Sequence, residues 1–132
     1  MNLIVCLDNG GGMAFCSRRQ SRDSVLCRNI IELTNGKTLF VSPYTAGLFE
    51  NGFTADSNFL KTAGKGDFCF TELDNTAPFA DKIENIIVYR WNRDYPADLY
   101  FPQSLLKSRK LLEKTDFAGS SHEKITREVY VK

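Results

Sequence analysis

The chain has 132 residues and a net charge of +1, from 17 basic and 16 acidic side chains. This length predicts one domain, with a core large enough to need no metal or disulfide staple. The near-neutral charge argues against a dedicated nucleic-acid-binding protein, which usually carries a strong basic excess. No signal peptide precedes the first predicted strand and no apolar run has the length of a membrane span, so we expect a cytoplasmic protein.

The first half of the chain predicts a strand, a helix and a second strand. The continuous apolar run "NLIVCL" is typical of a buried strand, and Asp8-Asn9-Gly10 ends it. From Asp23 to Thr34 the apolar residues fall on one helical face, with Asp23 at the N-cap position and Asn35-Gly36 as a stop signal. The segment "KTLFVS" predicts a second strand that Pro43 ends, and "TAGLFEN" is a candidate for a short helix.

The second half predicts only strands. The segments "DFCFTEL" and "KIENIIVYRWN" are the third and fourth, and "DLYFP" is a short fifth. The segments "RKLLEKTDFA" and "EKITREVYV" predict a closing hairpin around a polar turn. Because a strand–helix–strand opening implies a right-handed parallel crossover, we expect an α/β domain over residues 1–132. Its mixed, mostly parallel sheet has a C-terminal antiparallel hairpin, and its central strands are Leu3–Leu7, Leu39–Ser42, Phe68–Thr71 and Ile86–Arg90.

The cysteines and the single histidine form no metal-binding pattern. The four cysteines, at positions 6, 16, 27 and 69, contain no Cys-x-x-Cys pair, and His122 is the only histidine. Because a structural zinc site normally shows ligands paired at short spacing, we expect no metal and four reduced thiols. A metal-dependent nuclease, which would need a histidine-rich motif, is disfavoured for the same reason. In its polar turn, His122 is expected to be a surface or turn residue rather than a catalyst.

The order and spacing of these segments resemble dihydrofolate reductase. The opening is similar to that family's first strand and flexible active-site loop, with Gly12-Met13 at the loop's glycine. Asp23 lies at nearly the family's distance for its catalytic acid, on the first turn of the first helix. The segment "LFVSPYT" puts Thr45 at the place of a cofactor-contacting threonine. The ending "DLYFP" and the final hairpin complete a resemblance that covers both ends of the chain.

The cofactor motif of that family is replaced in this sequence. The resemblance implies a Gly-Gly pair after the strand "FCF", where the backbone approaches the cofactor pyrophosphate and a Cβ would collide. Here the pair is Thr71-Glu72, and Glu72 would bring negative charge toward a diphosphate. The segment "RRQS" takes the place of the family's Trp and Pro before the catalytic acid. We therefore expect standard NADPH binding to be lost.

Two features around the first helix leave alternatives open. The run Gly10-Gly11-Gly12 lacks the following residues of a phosphate-binding loop, so we expect a mobile loop beside a pocket. Arg18, Arg19 and Arg22 stand before a helix N-terminus, where cations are unfavourable. They indicate a compensating partner, either acidic side chains or an anionic ligand, unless they form a solvated helix entry.

Three functional hypotheses follow. The first is a binding protein for a small anionic or heterocyclic ligand, such as a nucleotide or a pterin-like ring. The second is an active NADPH-dependent reductase of a pterin-like substrate, and the third is a protein-interaction or regulatory domain without a ligand. Asp23 is the candidate catalytic acid, and in that role it would lie in a closed pocket with a raised pKa. The alternative is that Asp23 is an N-cap, which stabilises the helix by about 1 kcal/mol. The candidate ligand-binding residues are Gly12, Met13, Arg18, Arg19, Arg22 and Thr45.

Overall fold

The computed structural model describes all 132 residues, which form ten strands and four α-helices. The strands are β1 (Asn2–Leu7), β2 (Gly12–Phe15), β3 (Arg18–Arg19), β4 (Leu39–Val41), β5 (Thr54–Ala55), β6 (Phe68–Phe70), β7 (Ile86–Arg90), β8 (Leu99–Tyr100), β9 (Lys110–Phe117) and β10 (Ile125–Val131). The helices are α1 (Ser24–Leu33), α2 (Pro43–Ala46), α3 (Phe59–Thr62) and α4 (Gln103–Lys107), with a 3₁₀ helix over Ala77–Lys82. No helix is long and apolar enough to cross a membrane.

Seven strands form one mixed sheet in the order β5-β4-β6-β1-β7-β10-β9. The strands from β5 to β7 are parallel, and the hairpin β9–β10 joins antiparallel beside β7. The predicted fold class, with its parallel centre and antiparallel end, is therefore confirmed. All four predicted central strands are present, although β4 and β6 end one residue before the predicted bounds.

Both faces of β1 are covered, which explains why its sequence is apolar without alternation. Leu3, Val5 and Leu7 pack into a cluster that includes Phe59 and residues of β7 and α4. Ile4 points to the opposite face, into a second cluster that contains the buried residues of α1, Leu26 and Ile30. The helix therefore covers one face of the sheet, as its apolar periodicity predicts.

A second sheet of three strands, in the order β3-β2-β8, includes the last residue of the predicted Gly10-Gly11-Gly12 loop. The loop prediction is wrong at Gly12, which begins a strand that pairs antiparallel with β3 and β8, whereas Gly10 and Gly11 lie in the turn before it. Asp8 fixes the preceding turn, since its Oδ1 accepts the N–H groups of Gly10 at 2.9 Å and Gly12 at 2.8 Å. A Cβ at Gly12 would collide with the Cβ of Ala97, so the close approach of two chain segments requires glycine there.

The shortest elements differ most from the sequence expectations. The helix predicted in "TAGLFEN" is α2, which begins earlier, at Pro43, and ends at Ala46. The Ser42 side chain caps it through the Thr45 N–H. Helices α3 and α4 have four and five residues, too few to show a helical period in the sequence.

Candidate functional site

The polar residues of interest gather where the parallel strands end. Asp8 follows β1, Thr45 follows β4, Glu72 follows β6, and Trp91 follows β7. All four are at least nine-tenths buried. In open α/β sheets, ligands bind outside the carboxyl ends of the strands, so a ligand site is expected at this edge.

Asp23 lies beside this edge and joins α1 to the turn before β10. Its Oδ1 accepts the N–H groups of Val25 at 3.0 Å and Leu26 at 3.2 Å, which confirms the predicted N-cap. Its Oδ2 accepts the N–H of Ser121 at 2.8 Å and lies 3.0 Å from Nδ1 of His122. The carboxylate therefore holds together two segments that are almost a hundred residues apart in the sequence.

The pKa of Asp23 is lowered, whereas a proton-donating acid would need a raised pKa. Burial by itself would raise its pKa, but the hydrogen bonds from Ser120, Ser121, His122 and Leu26 hold the pKa well below the usual range. The raised pKa that the catalytic-acid alternative requires is therefore absent, because so many donors surround the carboxylate. Its side chain is also fully shielded from solvent.

His122 is buried, against the expectation of a surface residue. Its ring stacks on Trp91 at a centroid distance of 4.6 Å, and its Nε2 lies 2.8 Å from the hydroxyl of Tyr95 and 3.3 Å from Oγ of Ser21. The side chain is only 2% exposed. No local sequence signal indicates this environment, because the partners come from the segment before α1 and the loop after β7.

Arg19 forms an ion pair with Glu72. Its Nε donates to Oε2 at 2.8 Å and its Nη2 donates to Oε1 at 3.0 Å, while the Thr45 hydroxyl also donates to Oε1 at 2.8 Å. The guanidinium lies 4.4 Å from the centroid of the Tyr44 ring. For Arg19, an acidic side chain is therefore the partner, one of the alternatives that the sequence left open. Thr45 is buried and points to this same carboxylate.

An open cleft of about 480 Å³ borders the Arg19 side chain. Arg18 is exposed there, and Phe15 at the rim leaves 45% of its surface to solvent. Arg22 is also exposed but does not line this cleft. The lining residues are Phe15, Cys16, Arg18, Arg19, Gln20 and Pro96.

The other predicted site residues lie deeper. Met13 is 5% exposed and borders a small internal cavity together with Arg19, Ser21 and Glu72. Asp23 lines neither this cavity nor the open cleft. No three histidine, cysteine or carboxylate side chains come together in a way that could hold a metal ion. None of the four cysteines is paired in a disulfide.

Comparison with known proteins agrees with this architecture. The parallel sheet with helices on its faces and an antiparallel hairpin at one edge defines an open α/β protein. The fold is that of dihydrofolate reductase. A solved dihydrofolate reductase from Enterococcus faecalis, complexed with NADP(H) and RAB-propyl, superposes with a TM-score of 0.70 over 98% of this chain and 94% of that chain, at 11% sequence identity. No family model and no curated protein sequence matches the chain.

Proposed function

We propose that this protein binds a small anionic heterocycle, such as a mononucleotide or a pterin carboxylate, in the open cleft beside β2 and β3. The observation that carries the proposal is the lining of the cleft, where an exposed arginine, Arg18, stands close to the exposed ring of Phe15. A volume of about 480 Å³ is within the range of small-molecule pockets. A guanidinium can pair with an acidic group, and an aromatic face can stack on a planar ring.

The place of the cofactor pyrophosphate argues against standard NADPH binding. Where reductases of this fold have two glycines after the strand, the buried carboxylate of Glu72 bonds Arg19 and Thr45. Arg19 is already neutralised, so it offers no free cation to a diphosphate. A phosphate that displaced Arg19 would face a bare carboxylate, and two unit charges 4 Å apart repel by about 4 kcal/mol at an effective dielectric constant of about 20. The residues present do not fit this part of the cofactor.

Calorimetry with AMP and with pterin-6-carboxylate tests the proposed ligand class. We expect at least one of them to bind, and Arg18→Ala to weaken that binding by about tenfold, the effect of one charge-assisted hydrogen bond. Arg28→Ala is the matched control, because Arg28 is an exposed arginine on α1 outside the cleft and should leave the affinity unchanged.

Two results would overturn the proposal. If neither compound binds, and a thermal-shift screen of nucleotides and folates finds no stabilisation, the hypothesis of a domain without a ligand is favoured. A ligand at a hundred times its Kd should stabilise the fold by about 2.7 kcal/mol, so binding would be visible in that screen. Micromolar or tighter binding of NADPH would instead favour the reductase hypothesis.

A further inference from the structure

A hydroxyl, an imidazole and a carboxylate lie in series, and the serine that carries the hydroxyl lines the internal cavity. Oγ of Ser21 is 3.3 Å from Nε2 of His122, and Nδ1 of the same ring is 3.0 Å from Oδ2 of Asp23. Because a carboxylate accepts but cannot donate, this contact assigns the ring proton to Nδ1 and leaves the Nε2 lone pair facing the hydroxyl groups. This is the order of groups that activates a serine nucleophile.

We propose that Ser21 is a nucleophile activated by His122, and that the protein hydrolyses small activated carboxylic esters. This activity goes beyond the ligand binding proposed above, since it uses different side chains. No part of it depends on Arg18.

The surroundings of His122 hold the ring in one orientation. Its face stacks on Trp91, and its Nδ1 is tied to a carboxylate that also accepts N–H groups from both α1 and the turn before β10. The His122 and Asp23 side chains are 2% and 0% exposed, so their hydrogen bond lies out of contact with bulk water. A base fixed in this way needs no reorganisation when it takes a proton, which is a requirement of efficient general-base catalysis.

The hydroxyl of Tyr95 shares Nε2 with the serine. It lies at 2.8 Å, closer than the 3.3 Å of Ser21, and donates to the same lone pair. Contacts between a nucleophile and its base are often looser before substrate is bound, so the longer distance is compatible with activation. In the resting protein, Tyr95 therefore competes with Ser21 for the base, and its removal should increase the reactivity of Ser21.

Ser21 is half-buried and lies next to the open cleft. It lines the internal cavity together with Arg19 and Gln20, and these two residues also line the cleft. The cavity has a volume of only about 10 Å³, room for one water molecule, so an acyl group that enters from the cleft has to displace the Arg19 and Gln20 side chains to reach the Ser21 hydroxyl. The site therefore suits small esters better than extended chains.

The reaction balances with water as the only co-reactant. As Oγ of Ser21 bonds to the ester carbonyl carbon, its proton passes to Nε2 of His122. The bond from carbon to the alcohol oxygen then breaks, and His122 returns the proton to the departing alcohol. Water, deprotonated by His122, attacks the acyl-serine, and the acid is released as Ser21 regains its proton.

The test is covalent labelling with a fluorophosphonate, in which Oγ displaces fluoride from phosphorus, followed by intact-mass measurement and peptide mapping. We expect one adduct on Ser21, no adduct in Ser21→Ala, and an unchanged rate in Ser57→Ala, an exposed serine away from the site. His122→Asn keeps a donor at the position of Nδ1 but removes Nε2, so labelling should be at least about a hundredfold slower. Tyr95→Phe should label about fivefold faster, the equivalent of one neutral hydrogen bond.

Release of p-nitrophenol from p-nitrophenyl acetate should follow the same order among the variants. Circular dichroism checks that each variant is folded. If His122→Asn is unfolded, the acceleration in Tyr95→Phe decides the matter. An adduct on another residue, equal labelling of the wild type and folded His122→Asn, no acceleration in Tyr95→Phe, or no labelling together with no esterase activity above Ser21→Ala would overturn the proposal.

Discussion

The two carboxylate oxygens of Asp23 have different hydrogen-bond partners, so a single substitution can separate their roles. Oδ1 accepts the N–H groups at the start of α1 and that of Ser120, whereas Oδ2 accepts from Ser121 and contacts His122. Asparagine caps a helix as well as aspartate does. In Asp23→Asn, the amide oxygen can keep the Oδ1 contacts, but the amide NH₂ group then faces the Ser121 N–H, the Ser121 hydroxyl and the His122 ring at the position of Oδ2.

The expected loss follows from the Ser121 N–H. The Ser121 hydroxyl can donate to the Arg22 carbonyl oxygen, and the His122 ring can move its proton to Nε2 and accept from the amide, so the N–H is the donor that loses its acceptor. A buried donor without an acceptor costs about 1–3 kcal/mol, so we expect a decrease of about 1–3 kcal/mol in the free energy of unfolding. Asp23→Ala also loses the cap and should be destabilised by about 1 kcal/mol more.

Urea denaturation followed by Trp91 fluorescence measures the loss. Trp91 is the only tryptophan, is 4% exposed and stacks on His122, so its emission reports on this region directly. Asp56→Asn is the matched control, because Asp56 accepts its hydrogen bonds in an exposed turn and its substitution should cost less than about 1 kcal/mol. If Asp23→Asn is no more destabilised than Asp56→Asn, the argument from the Oδ2 contacts is refuted.

Three further outcomes are expected. The pKa of Asp23 is lowered in the folded state, so the carboxylate stabilises the fold fully above its unfolded pKa of about 3.9, and this stabilisation is lost as the pH falls below that value. Asp23→Asn should therefore flatten the acid side of a stability–pH curve measured by urea midpoints. Gly12→Ala should cost about 1–3 kcal/mol through its collision with Ala97, whereas Gly10→Ala, with only ordinary contacts, should stay within about 0.5 kcal/mol; equal thermal midpoints would contradict the packing argument. Under native conditions Ellman's reagent should react quickly with one thiol, the exposed Cys16, because burial raises the pKa values of the other three thiols. A titration of the denatured protein should find four thiols, and a second fast thiol in the native protein would contradict this assignment.

The sequence by itself determined the elements whose signals are local. Apolar runs predict β1 and β7 because a strand covered on both faces needs no polar residues. The N-cap at Asp23 follows from a side chain that reaches N–H groups only two and three residues away. The order of these elements predicts the parallel crossover and the antiparallel hairpin, since connection length and handedness limit the choices.

Only the tertiary structure decided the contacts that define the candidate sites. The bond between Asp23 and His122 joins residues 99 positions apart, and the pair of Arg19 with Glu72 spans 53 positions. Neither partner carries a local signal for the other, so the sequence predicted an exposed histidine and left the partner of the arginines open. The strand at Gly12 also depends on a distant contact, because it pairs with a segment more than eighty residues away that includes Ala97. Chain folding creates these proximities, and local periodicity contains no information about them.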